Sequence, residues 1–268
     1  LNYVVPKKSL GQHFLTDKNI ARKIVNSLTF NNYDSIIEVG PGMGTLTEFL
    51  LLLKEKELRF IEIDKYSISY LEKRFPEIKD KLIEADFLNI RLNEVYNKTL
   101  AIIGNFPYNI SSQIFFKILE YKTLVTEVVC MIQKEVAIRI SSTPGSKNYG
   151  ILSVLIQTYY DVSYLFSVSP QVFKPAPKVT SAVIRLTRNQ RRKLECDEDL
   201  YVKVVKTSFN QRRKTIRNSL KGIFLNMNKS DELFQKRPEQ LTIDEFVLLT
   251  RLAEKSHKDK NGYCSDIN

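Results

Sequence analysis

Up to about Thr187 the chain alternates short, almost wholly apolar runs with longer stretches in which apolar residues recur every three or four positions. A strand buried on both faces has no polar side to show, so this alternation predicts a parallel sheet with helices on each face. The strands are expected at 35–39, 58–63, 82–85, 100–104 and 127–132. After Gly150 a helical pattern over 151–160 leads into two β-rich segments, 162–168 and 181–187, which flank the loop SPQVFKPAPKVT. Strands joined without a helix are most simply antiparallel neighbours. The fold class is therefore α/β: a doubly wound, Rossmann-like sheet of seven strands with an antiparallel edge. From Arg188 the composition shifts to the charged run RNQRRKLECDED and then to helical patterns. This divides the chain into 1–187 and a smaller helical domain, 188–268. The polar tail after Lys255 is expected to be mobile.

Composition narrows the function. Lys and Arg number 41 against 30 Asp and Glu, a formal charge of +11, which favours polyanionic partners. Cys130, Cys196 and Cys264 lie far apart and the histidines are His13 and His257, so neither a zinc site nor a disulfide framework is indicated. The first fifteen residues carry charges and no apolar core of a leader, and no apolar run is long enough to span a bilayer. A cytoplasmic protein without a membrane role is expected.

Two stretches carry chemistry. IIEVGPGMG, from Ile36 to Gly44, is a buried strand entering a glycine turn before the helical run TLTEFLLLL. Such a turn lets a ligand approach the main chain closely, and the helix start beyond it adds free N–H groups. The dinucleotide fingerprint wants its third glycine one residue later, where Thr45 stands. Glu62 follows at the end of the second strand, where a carboxylate can accept from both hydroxyls of an adenosine ribose. Asp86 after the third strand can accept from an adenine amine, or can serve as a turn residue.

The second stretch is AIIGNFPYNISS, in which Asn105, Phe106, Pro107 and Tyr108 follow the fourth strand, at the edge where such sheets bind ligands. A turn alone does not need two aromatic rings. The exocyclic amine of a nucleobase is a poor nucleophile because its lone pair is delocalised into the ring. The Asn105 oxygen and a main-chain carbonyl held by Pro107 can each accept one N–H and free that lone pair to face an electrophilic methyl. Tyr108 can stack on a flipped or single-stranded base.

With SLGQHFL, EVGPGMGTLT, IEID, EADFL, NFPYNISS, FKPAPKVTSAVIRL and FNQRRKTIRNSL, the chain resembles the ribosomal RNA small-subunit adenine dimethyltransferases over nearly its whole length. The resemblance implies a class I methyltransferase sheet and S-adenosylmethionine as cofactor, contacted by His13, Leu15, Gly40, Gly42, Glu62, Asp86 and Asn105. Many relatives have Asn where this chain has His13. It places Phe173 opposite Tyr108 at the target base. The implied product is a pair of adjacent dimethylated adenosines near the 3′ end of small-subunit RNA, made by a monomer on an assembling subunit.

Between Leu200 and Ser230 there are eight Lys and Arg and no acid. On one helix over 201–224, Lys203, Lys206, Arg213, Lys214, Arg217 and Lys221 gather opposite an apolar face, with Arg212 on the apolar side. That is a cationic stripe suited to RNA phosphates. The rivals are a large-subunit enzyme of the macrolide-resistance type and a non-catalytic nucleic-acid-binding factor on the same fold.

Overall fold

The computed structural model describes residues 4–96, 98–224 and 232–262. The last six residues, Cys264 among them, lie outside. Among the described residues nine strands form two sheets: β1 (Phe14–Leu15), β2 (Ser35–Val39), β3 (Glu57–Glu62), β4 (Leu82–Glu84), β5 (Leu100–Asn105), β6 (Val125–Gln133), β7 (Tyr160–Val168), β8 (Phe173–Lys174) and β9 (Ser181–Arg188). The large sheet runs β4-β3-β2-β5-β6-β9-β7, and β1 pairs with β8 in a separate two-stranded ladder. The first five strands of the large sheet are mutually parallel. Only β9 is reversed, lying antiparallel between β6 and β7. Core strands are sealed on both faces: all five residues of β2 are buried, and so are the first five of β5.

Helix α1 (Lys18–Val25) leads into β2, and α2 (Thr47–Leu50), α3 (Lys65–Arg74), α4 (Leu92–Val95) and α5 (Ser111–Glu120) connect the parallel strands. Asp17 caps α1 by accepting from the N–H groups of Asn19 and Ile20, and Asp64 caps α3 through Tyr66 N–H and the Ser67 hydroxyl. The chain order reverses between β2 and β5, so their carboxyl ends open a crevice. Gly104 keeps these strands close: a Cβ there would stand 2.5 Å from the Val39 carbonyl oxygen.

Chain contacts divide the described residues into two units, 1–138 with 160–188, and 139–159 with 189–268. The second contains α7 (Ile151–Tyr159), α8 (Glu198–Asn210), α9 (Ile216–Ser219) and α10 (Ile243–Gly262), after α6 (Lys134–Ser141) has crossed from the first. Here the pattern over 201–224 is corrected, since no single helix forms. Helix α8 stops at Asn210, and Thr215 is extended ahead of α9. Arg212 lies within the break and donates to the Lys147 carbonyl at 2.6 Å. The two faces survive the interruption. All six predicted cations, Lys203, Lys206, Arg213, Lys214, Arg217 and Lys221, are exposed, whereas Tyr201, Val204, Val205, Ile216, Leu220 and Ile223 are buried. A second correction concerns the tail, because α10 continues past Lys255 to Gly262. Among the described residues no helix is long and apolar enough to cross a membrane.

Gly104→Ala is expected to cost about 1–3 kcal/mol, because backbone rather than a movable side chain meets the new methyl. Urea unfolding should show a lower midpoint with an unchanged slope.

Candidate active site

The carboxyl ends of β2, β3, β4 and β5 deliver Gly40, Glu62, Asp86 and Asn105 to one cavity of about 230 Å³, which Gly42, Phe106, Pro107, Tyr108 and the segment 9–13 complete. Gly40 has φ +68° and nothing within 4 Å of where a Cβ would sit. The turn therefore needs glycine and leaves open space beside the main chain. Glu62 is only 5% exposed and organises this turn. One carboxylate oxygen accepts from Gly42 N–H and the other from the N–H groups of Ile63 and Asp64, all at 2.9 Å. Burial pushes the Glu62 carboxyl above its ordinary value, opposed by these three donors.

Asp64 fastens the N-terminal segment beside the cavity. Lys7 Nζ lies 2.6 Å from one of its oxygens and Gln12 Nε2 donates to the other at 3.2 Å. Burial alone would raise the Asp64 carboxyl, but Lys7, Gln12 and Ser67 outweigh it and hold it below the ordinary range. Leu15 is buried in the β1–β8 ladder; its carbonyl accepts from Thr45 Oγ1 at 2.7 Å, and it lines a smaller recess with Glu38, Gly40 and Asn105.

At the end of β5, Asn105 Nδ2 donates to the His13 carbonyl at 2.8 Å. This fixes the amide, leaving its oxygen as the acceptor on the other side. Phe106 is fully buried, edge-on to Phe115. The Pro107 carbonyl receives Ile110 N–H at 3.2 Å, closing the turn into α5. The Tyr108 hydroxyl pairs with Ser181 Oγ, and its ring stacks on His13 with centroids 5.5 Å apart and planes 25° from parallel. Burial keeps that hydroxyl's pKa raised, although Ser181 works against the shift. His13 Nδ1 meets the Pro175 carbonyl at 2.8 Å, so Nδ1 carries the proton and Nε2 is left as an acceptor in the neutral ring.

Two expectations change. Phe173 does not face Tyr108: it pairs with Leu15 across the β1–β8 ladder and sits 4% exposed in the hydrophobic core. Side chains alternate along a strand, so it is exposed Lys174 that turns outward beside Tyr108. Asp86 lines the cavity, but its oxygens are engaged locally by Leu88 N–H at 2.9 Å and Asn89 Nδ2 at 2.8 Å, which is the turn role. Sequence reasoning also missed Glu38, Lys7 and Asp64. Glu38 carried the same signal as Glu62, an acid inside an apolar strand. It is 1% exposed and accepts from Thr47 Oγ1 at 2.6 Å. Burial, with the Glu62 charge nearby, pushes its carboxyl up to about 8.

A sheet of this order, with an amide held acceptor-outward at its switch point, is that of a Rossmann-like methyltransferase. The family model described as Ribosomal RNA adenine dimethylase matches residues 5–254, and the chain belongs to that family. It is 50% identical over its full length to Ribosomal RNA small subunit methyltransferase A of Phocaeicola vulgatus, covering 97% of that protein. Its fold is similar to that of a dimethyladenosine transferase from Plasmodium falciparum, with TM-score 0.76 and 24% identity over 91% of this chain and 98% of that one. It is also similar to the 23S rRNA methyltransferase ErmE, with TM-score 0.65 and 23% identity over 89% and 99%.

Glu38 generates a pH prediction. The unfolded carboxyl ionises near 4.5 and the folded one near 8, so stability falls as pH rises through that window. Glu38→Gln keeps an acceptor for Thr47 and removes the titration. Its unfolding free energy should exceed that of the parent by more at pH 8 than at pH 5.5, the two gaps differing by about 3 kcal/mol in urea titrations. An equal gap at both pH values would assign the carboxyl an ordinary pKa.

Proposed function

We propose that this chain dimethylates the N6 amines of two adjacent adenosines near the 3′ end of small-subunit ribosomal RNA, using S-adenosylmethionine. The observation that carries the chemistry is the Asn105 amide, whose nitrogen is committed to His13 and whose oxygen is therefore an oriented acceptor. The residues fit the cofactor: open space faces Gly40, and buried Glu62 stands at the neighbouring strand end. When bound, it supplies an electrophilic methyl on a sulfonium. Glu62, Gly40, Gly42, Leu15 and His13 would hold it.

Asn105 Oδ1 accepts one amine hydrogen. The Phe106 carbonyl, held ahead of the proline ring, accepts the other, because that of Pro107 serves the turn. With both hydrogens engaged, the lone pair leaves conjugation with the ring and points along the transfer axis, so positioning supplies much of the rate. Tyr108 stacks on the base. The methylated ammonium is acidic enough to lose its proton to water, and no strong base is required.

Whole-length identity of 50% favours a small-subunit substrate over a large-subunit one, since the likeness to ErmE, at 23% identity, concerns the fold alone. Intact Glu62, Asn105 and Tyr108 argue against a non-catalytic factor. The assignment we propose is catalysis in the unit 1–138 with 160–188 and RNA binding in the unit 139–159 with 189–268, through the exposed cations of α8, α9 and their flanks; the division expected at 187/188 is corrected by the segment 139–159. An assembling small subunit is the proposed substrate particle, and a cytoplasmic monomer the proposed form.

Asn105→Ala should lower single-turnover methylation by about 10²–10³ with the cofactor saturating, which separates the chemical step from binding. Asn105→Asp should fall close to it, because a carboxylate oxygen would face the His13 carbonyl across 2.8 Å. Transfer at the parental rate in the Ala variant would return the motif to a turn. Reversing Arg213, Arg217 and Lys221 to Glu should weaken RNA binding and reduce the slope of log affinity against log salt by about 0.7–0.9 per lost phosphate contact. Cofactor affinity, measured by calorimetry, should not move.

A further inference from the structure

A groove of about 720 Å³, larger than the cavity, begins where the cavity ends. His13 and Tyr108 line both. One wall is the N-terminal segment with Pro6 and Lys8, and the other is the stretch from Lys174 to Val179. No acidic residue lines it, while Lys8, Lys174 and Lys178 do, all exposed. Its remaining surface is mostly apolar, from Pro175, Ala176, Pro177 and Val179, the last 44% exposed, with the amides of Gln12 and Gln133 beside them. Stacked rings continuing into proline walls, edged by cations, suit an unpaired nucleotide, whose base has a π face and whose phosphate is an anion.

We propose that this groove holds the nucleotide adjoining the adenosine under methylation, with its base against the Pro175–Pro177 stretch and its phosphate met by Lys8 and Lys178. The proposal rests on the adenine-methylating reading above and extends it from one base to two. Its chemistry also suits the second half of the reaction. A dimethylated adenine has no amine hydrogen left to donate and carries two methyl groups. The wall of Pro, Ala and Val accepts that group without leaving a polar partner unpaired, and the Gln12 amide is already engaged by Lys7 N–H and Asp64. Both the unmodified and the finished neighbour can therefore occupy the groove while the other adenosine faces Asn105.

The test is methyl transfer to unmethylated small-subunit RNA by Lys8→Glu/Lys178→Glu, with Lys8→Gln/Lys178→Gln as a milder pair. Neither lysine has an ion-pair partner among the described residues. We expect KM for RNA to rise about tenfold or more and the salt slope to fall by about 0.7 per lysine. The kcat at saturating RNA and the cofactor affinity should stay within twofold. A photoreactive base at the neighbouring position should crosslink to residues 174–179. Unchanged KM and salt slope, or a crosslink that maps instead to the stripe at 203–221, would overturn the groove while leaving the catalytic reading intact. Absence of transfer by the unmutated chain would overturn that reading, and the groove with it.

Discussion

An amide side chain has an acceptor at one corner and a donor at the other, and nothing in its shape distinguishes them. The His13 carbonyl makes that choice for Asn105 by taking the nitrogen. The remaining oxygen becomes a fixed acceptor, which is what an amine lone pair needs if it is to be drawn out of an aromatic ring. The choice depends on bringing together two segments 92 residues apart. The sheet brings Asn105 to its edge, and the β1–β8 ladder and the Asp64 clasp bring His13 to meet it.

Buried carboxylates do much of this assembly. Glu62 gathers three main-chain N–H groups around the glycine turn, and Glu127 holds Thr29 N–H and the Tyr33 hydroxyl behind the sheet. A buried acceptor with several donors fixes backbone more firmly than apolar packing, because every unpaired partner carries a desolvation penalty. Glu38 shows the opposing cost: fully buried, with donors from Thr47 alone and a second acid nearby, it favours its proton.

The strands were legible because burial on both faces leaves uninterrupted apolar runs, and the site residues at strand ends followed from topology. The seven expected strands match the large sheet to within two residues at each end. What the sequence hid is long-range. Phe173 is aimed by a two-residue ladder to Leu15, so its direction is set by a partner 158 positions away. The helix break after Asn210 coincides with Arg212 reaching the carbonyl of Lys147, which no local periodicity contains. The Lys7–Asp64 clasp, joining residues 57 positions apart, is likewise invisible to spacing.

The reversed strand has a geometric consequence. Ser181 opens β9 beside Val168, the last residue of β7, and beside Gln133, the last residue of β6. Chain therefore both departs from and returns to the reacting edge within a single excursion. A connection between parallel strands must climb the full height of the sheet, so its length is tied to the helix that makes the climb. The excursion after Val168 has no such obligation. Residues 172–175 are tied to the N-terminal segment, but 176–179 can change in number without displacing a rung of either ladder, which leaves that part of the base-facing wall adjustable independently of the framework that aims the amide.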